Sequence, residues 1–309
     1  MAKYILQRII FMAITLLIII TISFFLMKIL PGTPFNSEKL SHEQIEMMKE
    51  QYGLDQPVPV QFASYVSHLV QGDFGVSFQF SNVPVSELLS SRIGPSAMLG
   101  FQAMLFGAIV GILLGVVAAL RQNTWVDYTA TFIAVIGKSI PSFVFAGLLQ
   151  LFISVKLGWL PVMGWDGFDT SILPTIALAM FPISIAARFM RTEMIDVLGS
   201  DYITLAKAKG ASRFQISVKH ALRNALIPVI TVLGPLAVSL MTGSLVIENI
   251  FAVPGIGEQF VKSIGVNDYP TVMGTTILFA ILFVVITLVV DILYGIIDPR
   301  IRVAGGNKG

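Results

Sequence analysis

The stretch DYITLAKAKGASRFQISVKHALRN, residues 201–224, is charged, periodic and broken by a single glycine, with long apolar runs on both sides. Ser200 or Asp201 can cap a helix start. Tyr202, Leu205 and Ala206 then share one face, and Lys207 and Lys209 fall near the C-terminal end, where cations suit the helix dipole. Gly210 suits the left-handed position that ends a helix. Ser212 and Gln215 make an S-x-x-Q capping box for a second helix, with Phe214, Val218 and Leu222 on one side. The spacing predicts helix, glycine corner, helix. Composition supports two readings of this basic hairpin equally: an element lying on anionic lipid, and a docking element for a partner protein.

The flanking runs set the class of protein. The chain has 309 residues, 55% hydrophobic and 12% charged, against about 25% charged in soluble domains. A net charge of +2 argues against a general nucleic-acid binder. Without cysteine there is neither a disulfide framework nor a thiolate metal site. His42, His68 and His220 are scattered, so no metal or cofactor is expected. A bilayer crossing needs about 20 apolar residues. Six runs qualify: Tyr4–Leu30, Met98–Leu120, Tyr128–Val155, Ile172–Phe189, Ala225–Ile247 and Thr271–Ile297. The first is too long for the apolar part of a signal peptide and ILPGTPF offers no cleavage site, so it reads as a retained helix.

Lys and Arg set orientation. With the N-terminus inside, 13 basic residues lie on the inner side and 6 on the outer, Lys138 being left in the membrane. Both termini and the 190–223 loop are therefore expected in the cytoplasm, and 31–96 outside. The outer segment has a net charge of −4, and residues 188–223 a net of +4. The chain divides on this reading into an N-terminal transmembrane helix (1–30), an extracytoplasmic segment (31–96), a five-helix core (97–298) containing the 190–223 loop, and a cytoplasmic tail (299–309). In the outer segment SHEQIEMMKEQYGL has helical spacing, while GDFGVSFQFSNVPV reads as turns and extended chain.

Ala103, Gly107, Gly111, Gly115 and Ala119 lie four apart on one stripe of the second span, which predicts a tight seam against another helix. Pro141, Pro174, Pro182 and Pro228 sit within or at the start of spans, where neighbouring helices or water must satisfy the freed carbonyls. Lys138 lies roughly 16 Å into the third span. A charge there is costly unless it faces water or a partner, and Ser139, Pro141 and Ser142 beside it suggest an irregular, polar-lined stretch. Lys138, Ser139 and Ser142 are candidate lining for a substrate path; the alternative for Lys138 is snorkelling or pairing with Asp291.

No catalytic set is present. Gly137–Ser139 has the look of the end of a phosphate loop, but the required earlier glycine is Phe132. The chain is expected not to be an enzyme, so any uphill transport draws energy from another chain or an ion gradient.

The opening stretch resembles the EAA loop of ABC-importer permeases. Aligned on Gly210, the Glu-Ala-Ala triplet falls on Thr204, Leu205 and Ala206, and the distal part on His220, Leu222 and Arg223. Thr replaces Glu, His replaces Ile, and Arg replaces Pro. DYITLAKAKG with HALRNALIP looks like the oligopeptide/dipeptide branch. So do GDFGVSF followed by PVSELLSSRIGPS, ENIFAVPGIGEQFVKSIGVNDYP, the tail DILYGIIDPRIR, and the N-terminal YILQRIIFMAITLLIIITISFFLMKILPGTPF. These blocks span the chain and are similar to the B-type permease subunit of oligopeptide importers.

The resemblance implies an all-α membrane protein with six transmembrane helices, the type I ABC importer permease fold, and an extracytoplasmic insertion after the first helix. It implies a location in the cell membrane, with a sister C-type permease, two cytoplasmic ATP-binding subunits and an extracytoplasmic peptide-binding protein as partners. It implies that the helix of the EAA segment sits in a cleft on the ATPase. Tyr202, Leu205, Ala206 and Phe214 would then grip, Thr204 would be a further coupling residue, Lys207, Lys209 and Arg213 would steer docking, and Gly210 would fix the angle. Dipeptide and nickel importers are the near alternatives. A secondary transporter would need intramembrane carboxylates, for which only Asp291 and Glu248 qualify, and a membrane hydrolase lacks a nucleophile–base set.

Overall fold

The computed structural model describes residues 2–29, 42–51, 53–80 and 82–297. Among them there is no strand, only one isolated antiparallel bridge, Val76–Pro84. The helices are α1 (Ala2–Ile29), α2 (His42–Gln51), α3 (Val58–Val70), α4 (Val85–Leu120), α5 (Trp125–Ser139), α6 (Ser142–Leu149), α7 (Phe168–Leu198), α8 (Asp201–Ala208), α9 (Arg213–Gln215), α10 (Arg223–Met241), α11 (Leu245–Phe251), α12 (Ile256–Gly265) and α13 (Tyr269–Ile297). Wide π-type turns extend α6 over Gln150–Lys156 and join α9 to α10 over Ile216–Leu222. The expected tail 299–309 lies outside the described residues, as do Lys39 and the side chain of Asp291.

Among the described residues five helices are long and apolar enough to cross a bilayer, and a bent pair makes six when taken as one span. That pair corrects the third expected span. Tyr128–Val155 is not one helix: α5 stops at Ser139, and α6 with its π-type extension leaves at 106°. Pro141 is the cause. It has no N–H to continue the ladder, and it forces Ile140 out of the helical region, to φ −84° and ψ 124°. The fifth expected span is corrected at both ends. A continuous helix runs Arg213–Met241, and Ile247 belongs to the separate α11. The second and fourth are longer than expected, because α4 begins at Val85 and α7 runs Phe168–Leu198.

The chain forms two compact units. One contains the residues up to Ser96 with Pro254–Val285; the other contains Ala97–Val253 with the end of α13. In the first, α1 is joined to α3. Phe24 packs edge-on to Phe62 at 5.3 Å between ring centroids, and Lys28 donates to Gln61. Burial pushes the phenol of the neighbouring Tyr65 above its ordinary range. The same unit contains a buried clasp. Asp268 accepts from the Ser77 hydroxyl at 2.6 Å, the Thr271 hydroxyl at 2.5 Å and the Phe78 N–H at 3.0 Å. Arg92 pairs with Glu258 at 2.6 Å, and the Ile256 N–H donates to Ser96 at 2.8 Å.

In the second unit α4 lies against α7 along its small residues. A Cβ on Gly107 would meet Pro182 at 2.8 Å, one on Gly111 would meet Ala186 at 2.6 Å, and one on Gly115 the Ala187 carbonyl at 2.5 Å. Ala103 and Ala119 are buried at the two ends of the stripe. This backbone-to-backbone approach is the packing that small residues make possible where no hydrophobic effect drives helices together. α7 also takes α5, through Ala130, Ala134 and Gly137 and through an ion pair. Arg191 donates to both carboxylate oxygens of buried Asp127, at 2.6 and 2.7 Å.

Candidate coupling site

The site is the corner after α7. At about 1.5 Å per residue, 31 residues make α7 about 46 Å long, some 16 Å more than a hydrocarbon core. α8 starts from Ser200, whose hydroxyl turns back to the Val197 carbonyl at 2.6 Å rather than capping α8. α8 ends in a Schellman arrangement. The Ala211 N–H reaches the Ala206 carbonyl at 3.1 Å, the Gly210 N–H reaches Lys207 at 3.0 Å, and Gly210 takes φ +81°. The next helix opens on a reciprocal capping box: the Ser212 N–H donates to the Gln215 side chain at 3.0 Å, and the Gln215 N–H to the Ser212 hydroxyl at 3.3 Å.

Fully buried Ile203 anchors α8 to the body, and Tyr202 accepts a hydrogen bond from Asn224 at 3.0 Å. Three large apolar side chains of the corner are open to the outside: Tyr202, Leu205 and Phe214 are 44%, 56% and 75% exposed. Thr204, Lys207, Lys209 and Arg213 are also exposed, and Ala206 is half-buried. The second arm is no separate helix. It continues through the π-type turns into α10 as one helix over Arg213–Met241. The sequence reading missed Ile203 as the anchor and Asn224 as the partner of Tyr202. Tyr202 and Ile203 are adjacent, and which of them turns inward depends on what α8 packs on.

The candidate path residues lie at the bend. Lys138 and Ser139 end α5, Ser142 begins α6, and all three are exposed. Among the described residues Lys138 has no ion-pair partner. Glu248 is fully buried in α11, where it accepts from the Ser244 N–H at 3.0 Å. The described residues contain no group of His, Asp and Glu able to hold a metal.

Helices in this order, with a short helix on a glycine corner between two spans, define a class. The fold is that of the type I ABC importer permease. The inward-facing MetNI methionine ABC transporter matches with a TM-score of 0.58 at 21% identity, over 68% of this chain and 96% of that one. An amino acid ABC transporter solved with histidines matches with a TM-score of 0.54 at 13% identity. The chain belongs to the family of binding-protein-dependent transport system inner membrane components, whose pattern matches residues 111–303, with the N-terminal membrane component pattern of the same systems matching residues 1–88. It is 47% identical to the dipeptide transport system permease protein DppB of Lactococcus lactis, over 98% of this chain and 100% of that protein. It is 46% identical to DppB of Bacillus subtilis over 98% of each chain. It is 43% identical to the oligopeptide transport system permease protein OppB of Escherichia coli, over 98% of this chain and all of that one.

Proposed function

We propose that this chain is the permease subunit of an ATP-driven importer of short peptides. It forms the translocation path with a sister permease, receives peptide from an extracytoplasmic binding protein, and is driven by two cytoplasmic ATP-binding subunits that carry all of the ATP hydrolysis. The observation that carries the coupling role is the exposure of Tyr202, Leu205 and Phe214 on a helix–glycine–helix corner that also carries exposed Lys207, Lys209 and Arg213. A partner protein would desolvate such a face, and the neighbouring charges would steer the encounter. Peptide cargo is the chemistry named for relatives at 43–47% identity along the whole chain. The test is co-purification and uptake. Wild-type chain should bring down an ATPase pair, and alanine at Tyr202, Leu205 and Phe214 together should release it and stop uptake of labelled di- to pentapeptides. Retained ATPase in the triple variant would overturn the assignment of the face.

The basic side is cytoplasmic in this reading, so cysteines at Gln71 and Ala208 should label from opposite faces of the membrane. Lys138, with Ser139 and Ser142, lines the path at the bend and favours peptides with a free carboxylate. A Lys138→Met variant that takes up acidic, neutral and basic peptides in unchanged proportion would remove it from the path.

A further inference from the structure

A crevice of about 130 Å³ opens among α4, α5 and α7. Leu114 and Ala118 are part of its apolar wall, and Thr131, Arg188, Arg191 and Thr192 form its polar lining. The two arginines differ. Arg191 has given Nε and Nη2 to Asp127, and its charge is matched. Arg188, one turn earlier on the same helix, is exposed and has no ion-pair partner among the described residues. The crevice therefore holds one uncompensated positive charge on the flank of a membrane-spanning helix. Such a charge is costly there unless it meets water or an anion.

Its level along α7 indicates which anion. Arg188 precedes the end of α7 by ten residues, or about 15 Å, which is close to the length by which α7 exceeds a hydrocarbon core. The Asp127–Arg191 pair fixes the start of α5 beside this part of α7, and that start carries Trp125 and Tyr128, 76% and 66% exposed. Exposed Trp and Tyr mark the boundary between head groups and acyl chains. A cation at that boundary, beside a pocket that continues into apolar wall, has the chemistry of a lipid site: phosphate at the mouth, hydrocarbon along the helices.

We propose that this crevice binds the head group of an anionic phospholipid from the leaflet on the basic side, with Arg188 as its ion partner. The proposal rests on the orientation given above, which the labelling experiment decides separately. The test uses the whole transporter, purified with its partner subunits and returned to nanodiscs of phosphatidylcholine with or without phosphatidylglycerol. Native mass spectrometry after a phosphatidylcholine wash counts the phosphatidylglycerol retained. Wild type should retain it, Arg188→Lys should retain most of it, and Arg188→Gln should lose it about fivefold more readily. Millimolar inorganic phosphate should not displace it. Equal retention in wild type and Arg188→Gln would overturn the proposal. Displacement by phosphate alone would make the crevice a free-anion site and overturn it too. Intact lipid retention with altered uptake of acidic peptides in Arg188→Gln would assign the crevice to the peptide path instead. Retention requires neither ATP nor uptake, so it fails or succeeds independently of the coupling role.

Discussion

The Asp268 carboxylate is buried and paired; around Gly210 the apolar groups are exposed and unpaired. The clasp holds a carboxylate with no exposed surface on three donors from two segments of chain. The corner holds three large apolar side chains in the open: Tyr202 and Leu205 on α8, which buried Ile203 anchors, and Phe214 on the helix after Gly210. A buried charge survives only where its hydrogen bonds are made, so the clasp is complete within this chain. An apolar surface on a stiff helix is completed only by something else. The contrast separates what stabilises this subunit from what the subunit offers to others, and substitutions in the two places should fail in different ways.

The largest effect is expected at the corner. Gly210 has φ +81° and open space around its missing side chain, so Gly210→Asp adds strain of about 1 kcal/mol and a charge at the proposed partner surface. The variant should reach the membrane in normal amount and lose ATP-dependent peptide uptake. Normal uptake would erase the contrast between the two regions.

At the clasp the loss should be of stability. Asp268→Ala strands the donors of Ser77, Phe78 and Thr271, at about 1–3 kcal/mol for each buried group left unsatisfied. The detergent-solubilised subunit should unfold at a clearly lower temperature, and Asp268→Asn, which keeps one acceptor oxygen, should fall between it and wild type. An unchanged transition would show that the clasp is not what holds these segments.

Asp127→Ala should cost less. It leaves Arg191 without its partner, but that side chain is 30% exposed and water compensates part of the loss. A destabilisation of about 1–3 kcal/mol is expected, partly recovered when Arg191 is replaced by methionine in the same chain. No recovery would mean that Asp127 acts through the Asn123 N–H and the Thr131 hydroxyl, which donate to it at 3.0 and 3.4 Å, rather than through the arginine.

The smallest effect tests the seam. A Cβ at Gly111 would sit 2.6 Å from Ala186 and 2.7 Å from the Ile183 carbonyl, whereas Gly147 has nothing within 4 Å. Gly111→Ala should destabilise by about 1–2 kcal/mol through overpacking, and Gly147→Ala should be neutral or slightly stabilising. Equal thermal transitions for the two would refute close packing at the stripe.

Much of this was legible in the residues. The apolar runs give the spans, the four-residue spacing of small residues gives the stripe on α4, Gly210 with Ser212 and Gln215 gives the corner, and Pro141 gives a break. All of these are local rules, acting over one or two helical turns, and so they appear as spacing. The 106° turn at Pro141 was not legible, because a proline says that a helix is interrupted and not where the next one goes. Nor were the pairings of Asp127 with Arg191 and of Asp268 with Ser77, which lie 64 and 191 residues apart. A carboxylate in a sequence carries no mark of the donor that will reach it; only the packing of α5 on α7, and of the segment at Ser77 on the start of α13, decides that. The sequence by itself determined the helices, their apolar faces and the glycine corner, because those follow from the backbone and its nearest neighbours. The tertiary structure decided which charges are neutralised and which, like Arg188, have no ion-pair partner among the described residues, because that depends on distances between residues far apart in sequence.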